Sequence, residues 1–287
     1  MADIINDNLT GVKFIPAVWG AKVLVQRESY LVAAKVVERY DEEVAGFGDI
    51  IHIPEVKDLA ATEVSPGTDV TYQANTEGEK TIEINEHWES SFLIHDRLSA
   101  QEKYRVADKY AKKAAHALAV KMDSTVLAEG LNADNNVGDG STEITETNIL
   151  NAIQFLDLAN APVDDRHFIV DAYGKKDLFD IDNFVRYDAT GKVSPAVDGT
   201  RQGYNFGELF GVTVHVSNNV PVETASPNVI HGLMLQREAI GLAVQKGIKV
   251  EKSRMPEKLA DLVTTQVLFG VETLRPDHMV DFRYEQA

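Results

Sequence analysis

The chain has 287 residues, 44% hydrophobic and 25% charged, a composition typical of a globular protein with a sizeable core. It contains no cysteine, which excludes a disulfide framework, a thiolate metal site and a cysteine nucleophile. Its formal net charge of -17 repels nucleic-acid phosphates, so a dedicated DNA-binding protein is not expected.

The N-terminal segment, MADIINDNLTGVKF, has neither the basic region nor the apolar core of a signal peptide. No stretch of the chain approaches the roughly 18 apolar residues of a membrane span, so we expect a cytoplasmic product. From Arg27 to Val44 apolar residues recur near helical spacing, which predicts a helix ended by Gly46 and Gly48.

From Asp49 to Ile94 the pattern changes to an alternation with period two. Between residues 81 and 94 apolar residues share one parity and polar residues the other, which predicts a strand with one solvated face. Residues 70–74 repeat the parity and residues 75–80 are polar, so a hairpin with its turn at 75–80 is expected. Upstream, Pro54 places its strand at a sheet edge or at a strand end.

This β segment is acidic, with thirteen Asp and Glu residues against Lys57 and Lys80 between Asp41 and Ile94. Such a segment has little apolar material to bury within its own domain, and a solitary hairpin is marginal in water. We therefore expect a long hairpin that reaches away from the body and rests on a neighbouring molecule.

A long helix is predicted next, from about Leu98 to Leu127, with Ser99 and Glu102 spaced as in a capping box. Between residues 97 and 121 there are seven Lys and Arg residues against two acidic residues, which is an asymmetry in so acidic a chain.

Residues 130–142 form a predicted loop and boundary. A second helix, a buried strand, a short helix, a polar loop and at least four strands follow without a βαβ rhythm, which indicates an α+β fold.

Signals of enzymatic chemistry are weak. The sequence has no Walker-type phosphate loop, no GxSxG motif and no HExxH motif, and its eight histidines are scattered. Asn132 to Glu143 has the ligand spacing of a calcium loop, but Val137 occupies the position that requires glycine, so a polar linker is favoured. We assign no catalytic, cofactor-binding or metal-binding residue.

Two segments carry a resemblance to a known family. Ala239 to His278 has an Ala-Ile-rich strand, a polar stretch, and a strand that ends near Gly-Val and Arg-Pro. Gly207 to Pro221, GELFGVTVHVSNNVP, has a Gly-x-x-x-Gly-Val strand that leads to Val-Pro. Together with the order of the predicted elements, these segments resemble the major capsid proteins of tailed bacteriophages of the Hong Kong 97 type.

The resemblance implies an α+β phage capsid fold with an N-terminal arm, an extended β-hairpin loop, a long spine helix, and peripheral and axial domains. The implied division is an arm over residues 1–48, the extended loop over 49–94, a peripheral domain with the spine helix over 95–137, an axial domain over 138–235, and a return to the peripheral domain over 236–287.

The resemblance also implies a function. The chain would be a structural protein, and not an enzyme, that assembles into an icosahedral virus shell around double-stranded DNA. Its partners would be other copies in hexamers and pentamers, a portal, packaged DNA without sequence preference, and no membrane. Only about 45 residues precede the hairpin, too few for an internal scaffolding segment, so we expect a separate scaffolding protein or a processed chain. The product would be found in the virion, after assembly in the host cytoplasm.

Two surfaces are candidates for function. The expected inter-subunit contacts are Lys57, Glu63, Asp69, Glu77, Glu79, Lys80 and Trp88. The expected basic face toward the shell interior is Arg105, Lys109 and Lys112. Either surface could also be an ordinary solvated face. The alternatives to a virus shell are a cellular nanocompartment shell of the same fold, a tail or baseplate component, and a soluble α+β hydrolase.

Overall fold

A computed structural model describes residues 31–44, 48–56, 59–64, 66–67, 69, 72–73, 77–97, 106–181 and 205–286. Within these ranges the fold combines helices and sheets, as predicted. The helices are α1 (Ala33–Val36), α2 (Val106–Glu129), α3 (Glu146–Leu158) and α4 (Ala172–Asp180). None of the described helices has both the length and the apolar character needed to cross a membrane.

The strands of the described residues form three sheets. They are β1 (Glu38–Arg39), β2 (Ile50–Val56), β3 (Glu77–Glu83), β4 (Glu86–His95), β5 (Asn135–Val137), β6 (Arg166–Val170), β7 (Asn205–Leu209), β8 (Val212–Val216), β9 (Val222–Glu223), β10 (Val229–Gln236), β11 (Ile240–Met255), β12 (Ala260–Thr273) and β13 (Met279–Glu285).

A seven-stranded sheet holds most of the core. Its order is β5-β13-β10-β6-β8-β7, and β9 pairs with β10 at one end. The central strand β10 is buried from Ile230 to Gln236, as expected for a strand covered on both faces. Phe282 of β13 and Phe168 of β6 are fully buried, with ring centroids 5.1 Å apart. The strand β13 thus belongs to this sheet, whereas β11 and β12, from the same segment 236–287, lie in the four-stranded sheet.

Two helices near this sheet begin where the sequence provides a cap. The side chain of Thr145 accepts a hydrogen bond from the amide of Asn148 at the start of α3. The side chain of Asp171 does the same for the amide of Gly174 at the start of α4. In α3, Ile149, Ala152 and Leu156 are buried at helical spacing, so the predicted second helix is confirmed.

A four-stranded sheet in the order β1-β11-β12-β4 carries α2 on one face. Alternate residues of β12, from Val263 to Phe269, are buried, while the residues between them are partly exposed. The long strand β11 has two register irregularities between Val244 and Lys249. Each inserts an extra residue, which bends a strand and increases its twist. Beyond this bend, from Lys246 to Arg254, β11 is exposed.

The two-stranded sheet is a hairpin of β2 and β3, and its pairing differs from the prediction. The partner of β3 is Ile50–Val56, not residues 70–74, and residues 77–80 are part of β3 rather than of a turn. This register places Ile51 opposite Ile82, where both are buried with Ile84, Val44 and Ala243. Pro54 lies in a strand with a single partner, as predicted.

The predicted helix from Arg27 to Val44 is wrong in its described part. Only Ala33–Val36 are helical, and Glu38–Arg39 pair with β11 instead. Val36 and Val37 are β-branched residues with low helix propensity, and tertiary pairing overrides the weak helical periodicity. The long predicted helix is confirmed as α2 and continues to Glu129, and its predicted start at Leu98 lies outside the described residues.

The strand predicted from residue 81 to residue 94 is interrupted at Ile84 and Asn85. After the interruption, β4 leaves the hairpin and pairs with β12 along its whole length, from Glu86 to His95. Residues 49–94 therefore serve two sheets, and only the part up to Glu83 belongs to the hairpin.

Candidate assembly surfaces

The hairpin presents an acidic face to solvent. Glu77, Glu79 and Glu83 alternate along β3 on the side opposite Ile82, and all three are exposed. Glu79 lies beside His52, with Oε2 3.3 Å from Nδ1. The predicted solvated face is therefore present in β3, and two of the expected contact residues, Glu77 and Glu79, lie on it.

Beyond this two-stranded sheet, the described residues between 59 and 73 form an exposed ribbon. The amide of Ala60 donates to Oε1 of Gln73 at 3.0 Å, so the two segments remain side by side. Every described residue from 59 to 73 is exposed, including the expected contacts Glu63 and Asp69. Val56 and Tyr72 are 88% and 92% exposed, so these apolar side chains gain almost no burial from their own subunit. Lys57 lies outside the described residues.

Lys80 has a different setting from the glutamates. It is half-buried on the inner face of β3 and lines an open cleft of about 870 Å³ at the root of the hairpin. The cleft is lined by Glu38, Tyr40, Ile53, Pro54, Glu55, Val56, Lys80, Glu238, Leu274 and Arg275. Burial and nearby glutamates, Glu38 first among them, raise the pKa of Tyr40 above its ordinary value.

Trp88, another expected contact, packs partly within its own subunit. It lies on β4 rather than on the hairpin, with Nζ of Lys121 on α2 4.4 Å from its ring centroid. A second pair, Phe92 and Tyr110, joins the same two elements with ring centroids 5.8 Å apart. Trp88 remains 40% exposed, so part of the indole is still available to a neighbour.

The expected basic face of α2 is only partly on the surface. Lys112 is exposed and Lys109 is half-buried, while Arg105 lies outside the described residues. A second group of cations, which the sequence did not single out, lies on the exposed half of β11. Lys246, Lys249 and Lys252 are all exposed there. The register with β12 places Lys246 and Lys249 on one face of the sheet, opposite Leu268 and Gln266, whereas Lys252 pairs with Val263 and points to the other face.

The tip of the hairpin formed by β11 and β12 is held by ion pairs. Arg254 donates to both carboxylate oxygens of Asp96, at 2.5 and 2.6 Å, and to Asp261 at 3.3 Å. These hydrogen bonds hold the pKa of the Asp96 carboxyl below its usual range. Lys252 also pairs with Asp261 at 2.8 Å. The sequence alone did not reveal this cluster, because Asp96 lies 158 positions from Arg254.

A buried aspartate connects three parts of the chain. Asp123 of α2 accepts hydrogen bonds from the amides of Val32 and Ala33, at 2.9 and 2.7 Å. Its other oxygen accepts from Nδ2 of Asn219 at 2.9 Å. The carboxylate therefore fixes both the start of α1 and the segment after β8 against α2. In the sequence, a single Asp within a mostly apolar helical pattern does not indicate this role.

Two buried histidines, His215 and His231, belong to strands of the seven-stranded sheet, and a third, His278, lies in the 3-10 turn before β13. Nδ1 of His231 lies 3.0 Å from Oδ1 of Asp281, and this hydrogen bond raises the pKa of His231. His215 and His167 face each other on β8 and β6 at 3.1 Å, and burial lowers the pKa of His215 to about 4. None of these imidazoles lines the cleft at the hairpin root.

The described residues contain no group of three His, Cys, Asp or Glu side chains that could hold a metal ion. The stretch considered as a calcium loop does not form one, because Asn135–Val137 are a strand paired with β13. The side chains of Asn135 and Asn136 therefore lie along an extended backbone instead of around a central ion.

No protein-family model and no curated protein sequence matches the chain. Solved structures match it over nearly its full length. A structure of Mycobacterium phage Che8 is 23% identical with a TM-score of 0.76, and covers 94% of this chain and 97% of its own. The capsid of cyanophage P-SCSP1u is 20% identical with a TM-score of 0.75, and covers 99% and 97%. The capsid of Ralstonia phage GP4 is 10% identical with a TM-score of 0.69, and covers 100% and 99%. The chain has the fold of tailed-phage major capsid proteins.

Proposed function

We propose that this chain is the repeating subunit of an icosahedral virus shell that encloses double-stranded DNA, and that it acts as a structural protein and not as an enzyme. The observation that carries the proposal is the structural match, which spans 94% or more of this chain and 97% or more of each capsid-fold chain compared above. The described residues contain no large additional domain, outside the matched fold, that could carry a separate activity.

In this proposal each region has a part in the shell. Residues 1–48 serve as an arm, α2 as the spine helix, and the hairpin of β2 and β3 as the extended loop. The four-stranded sheet corresponds to the peripheral domain and the seven-stranded sheet to the axial domain near the centres of hexamers and pentamers. Many weak, repeated contacts between such subunits close the shell by mass action.

Burial is the physical reason for placing the extended loop on a neighbour. The root of the hairpin is anchored by Ile51, Ile82 and Ile84, but the ribbon beyond Val56 has no buried residue in its described part. Covering Val56 and Tyr72 on another copy would remove large apolar side chains from water, which favours association. The exposed ribbon therefore supports a contact that the subunit cannot make with itself.

Complementary charges on the loop and on the neighbour favour one orientation of this contact. The loop offers Glu63, Asp69, Glu77 and Glu79, and a neighbour offers exposed lysines on β11, such as Lys246 and Lys249. Complementary charges across an interface set register and encounter rate more than affinity. Arg105, Lys109 and Lys112 would in addition face the packaged DNA, through contacts that are independent of base sequence and weaken with salt.

The proposed partners follow from this arrangement. They are other copies in hexamers and pentamers, a portal, a separate scaffolding protein and packaged DNA, and the product is a virion component assembled in the host cytoplasm. Each of these partners can be looked for in particles purified from infected cells.

Size-exclusion chromatography and electron microscopy of the purified full chain test the proposal. We expect round particles in the megadalton range. Tubes or rings would replace the proposal by a tail or baseplate component, and a species near 31.6 kDa or a small oligomer would favour an enzyme. Native particles that hold an enzyme instead of nucleic acid would identify a nanocompartment shell.

A loop replacement tests the role of the ribbon. Val56 and Glu77 are paired across the ladder, so replacing residues 57–76 by Asn-Gly closes the hairpin with a two-residue turn. We expect the folded subunit to keep its thermal transition and to lose assembly. Normal shells from this variant would contradict the proposed contact. Glu42→Gln, outside the ribbon, is the control for a change of acidic surface charge alone.

A further inference from the structure

A short segment beside β10 is anchored at both ends and only weakly attached between them. Before it, the side chain of Asn219 donates to Asp123 of α2 at 2.9 Å. After it, the side-chain amide of Asn228 donates to Oε1 of Gln286 at 2.8 Å. The segment between these anchors, residues 221–227, is named the strap here, and all of it after residue 221 is exposed.

The strap contacts the seven-stranded sheet mainly through its strand β9. This strand pairs with only two residues of β10, and the amide of His231 donates to the carbonyl oxygen of Pro221 at 3.0 Å. Val222 is 48% exposed, so apolar burial adds little to the attachment. Nε2 of His231 also lies 3.6 Å from Oε2 of Glu223, which is an ion-pair distance. A segment with so few buried contacts is expected to open locally, before the sheet unfolds.

The other nitrogen of His231 is fixed in the core. Nδ1 lies 3.0 Å from Oδ1 of Asp281, whose side chain is only 3% exposed. The second oxygen of this carboxylate accepts from Nε of Arg283 at 2.7 Å. An ionised carboxylate accepts hydrogen bonds and cannot donate them, so Nδ1 carries a proton in both charge states of the imidazole. The proton that His231 gains or loses is therefore the one on Nε2, the nitrogen that faces Glu223.

The proton on Nε2 decides whether the strap is attracted to the sheet at this point. An imidazolium attracts the Glu223 carboxylate, whereas a neutral imidazole turns its lone pair toward it. The hydrogen bond to Asp281 raises the pKa of His231, although burial opposes this effect. The attraction is therefore complete below the ordinary pKa of histidine, and it is lost as pH rises through the raised value.

Few other charges act on this imidazole. The charged groups of the described residues that act on it are Asp281 and Arg283 on β13 and Glu223 on β9. Arg283 disfavours the protonated imidazole and the two carboxylates favour it. The strand β10 has no other titratable side chain, and β6 pairs with it only from Leu233 onward. The 3-10 turn Gly130–Asn132, which also packs against β10, has no charged side chain.

We infer that His231 is a proton-dependent switch that holds the strap on the seven-stranded sheet at low pH and releases it at high pH. Release removes β9 from the edge of β10 at Val229 and Ile230, and within the described ranges no other strand covers that edge. The switch lies within one subunit, so the inference goes beyond the proposed function and does not depend on assembly.

Hydrogen exchange of full-length subunits, kept below any assembly concentration, tests the inference. The reporter is the backbone amide of His231, because its acceptor, the carbonyl oxygen of Pro221, belongs to the strap. Protection factors correct for the intrinsic effect of pH on exchange, and they are compared between pH 6 and pH 9. We expect the wild-type protection factor to fall about fivefold, as is reasonable for the loss of one partly exposed charge pair.

Glu223→Gln removes the carboxylate that the protonated imidazole attracts, at an exposed position where folding should be preserved. Its protection factor at pH 6 should already be close to the wild-type value at pH 9, and should change less than about twofold with pH. Glu257→Gln, which removes an exposed acidic side chain from the 3-10 turn before β12, is the matched control. It should keep the fivefold change of the wild type.

Three results would overturn the inference. The wild-type protection factor could be the same at both pH values, or its change could persist in Glu223→Gln, which would assign the pH dependence to another group. Amides of β12 could also lose protection by the same factor, which would show global opening instead of release of the strap. Absence of assembled particles would contradict the proposed function and leave this measurement on single subunits unaffected.

Discussion

Two successive strands of the same chain show two different ways of using β structure. The strand β10 is buried from Ile230 to Gln236, at the centre of the seven-stranded sheet. After a turn of three residues, β11 begins buried and is exposed from Lys246 to Arg254. Both strands have paired neighbours, so ladder hydrogen bonds alone do not distinguish a buried strand from an exposed one.

The polar interactions of the seven-stranded sheet and of the exposed half of β11 also differ in burial. Within the seven-stranded sheet, the hydroxyl of Tyr284 donates to Asp171 at 2.9 Å, and both residues are buried. On the exposed half of β11, Lys249 pairs with Glu251 at 2.8 Å, and both side chains are more than half exposed. Exposed pairs of this kind contribute little, whereas a buried polar group costs free energy when its partner is lost. We therefore expect the subunit to be stable through one region and to associate through the other.

The largest effect is expected at the centre of the seven-stranded sheet. Phe282→Ala would remove a fully buried ring that packs against Phe168, and should lower the free energy of unfolding by about 4 kcal/mol. Urea unfolding of unassembled subunits measures this loss. Phe282→Leu, which keeps most of the apolar volume, is the control and should lose less than half as much. A loss below about 1 kcal/mol for Phe282→Ala would mean that this sheet is not the stable region.

A smaller effect is expected at the junction between α2 and the rest of the subunit. Asp123→Ala would leave the amides of Val32 and Ala33 and the side-chain amide of Asn219 without their acceptor, at a cost of about 3 kcal/mol. The loss is again measured by urea unfolding. Asp123→Asn keeps one acceptor oxygen and should be intermediate. Equal stability of the alanine variant and the wild type would show that water replaces the carboxylate without loss.

The next effect depends on pH. Burial lowers the pKa of His215 to about 4 in the folded chain, whereas an unfolded histidine titrates near 6.5. As pH falls below 6.5 the unfolded chain therefore takes up a proton that the folded chain does not, and stability present above that pH is lost. Between pH 7.5 and pH 5 this residue should remove about 2 kcal/mol of the free energy of unfolding.

His215→Gln isolates this contribution from that of other titrating groups. His231 acts in the opposite direction, because its raised pKa adds stability at low pH and loses it as pH rises. The difference between the wild-type and His215→Gln curves removes such shared terms. The free energy of unfolding of the wild-type chain minus that of His215→Gln should be smallest at low pH, where protonation of His215 in the unfolded chain weakens the wild type most. Parallel curves would show that His215 is protonated as readily in the folded chain as in the unfolded one.

The difference between these regions was only partly visible in the sequence. The alternation from residue 81 onward and the long helix α2 follow from local periodicity and were predicted, whereas residues 77–80 were predicted as a turn and are part of β3. The partner of β3 was not, because Ile51 and Val70 are equally plausible partners by parity and only the burial of Ile51 against Ile82 decides between them. Periodicity specifies which side of a strand is apolar, but not which strand it meets.

The candidate surfaces show the same limit. The acidic charges of the hairpin could be identified from composition, but the packing of Trp88 under Lys121 and the pairing of Arg254 with Asp96 depend on contacts between distant segments. Likewise, the left-handed backbone conformation of Leu259, in the turn between β11 and β12, has no sequence signature, since leucine is not a residue that marks a left-handed position. Such features depend on contacts between segments that are distant in the sequence, so local sequence patterns do not predict them.

The smallest effect is expected on the exposed half of β11, where Val250 pairs with Thr265 and remains half-exposed. Val250→Ser removes an apolar side chain of which about half is already in water. The free energy of unfolding of the unassembled subunit should therefore change by less than about 0.5 kcal/mol. Val244→Ser, on the same strand but packed against the main core, is the control and should cost about 2 kcal/mol. If the two substitutions were equally costly, the exposed half of β11 would be as much a part of the folded core as the buried half.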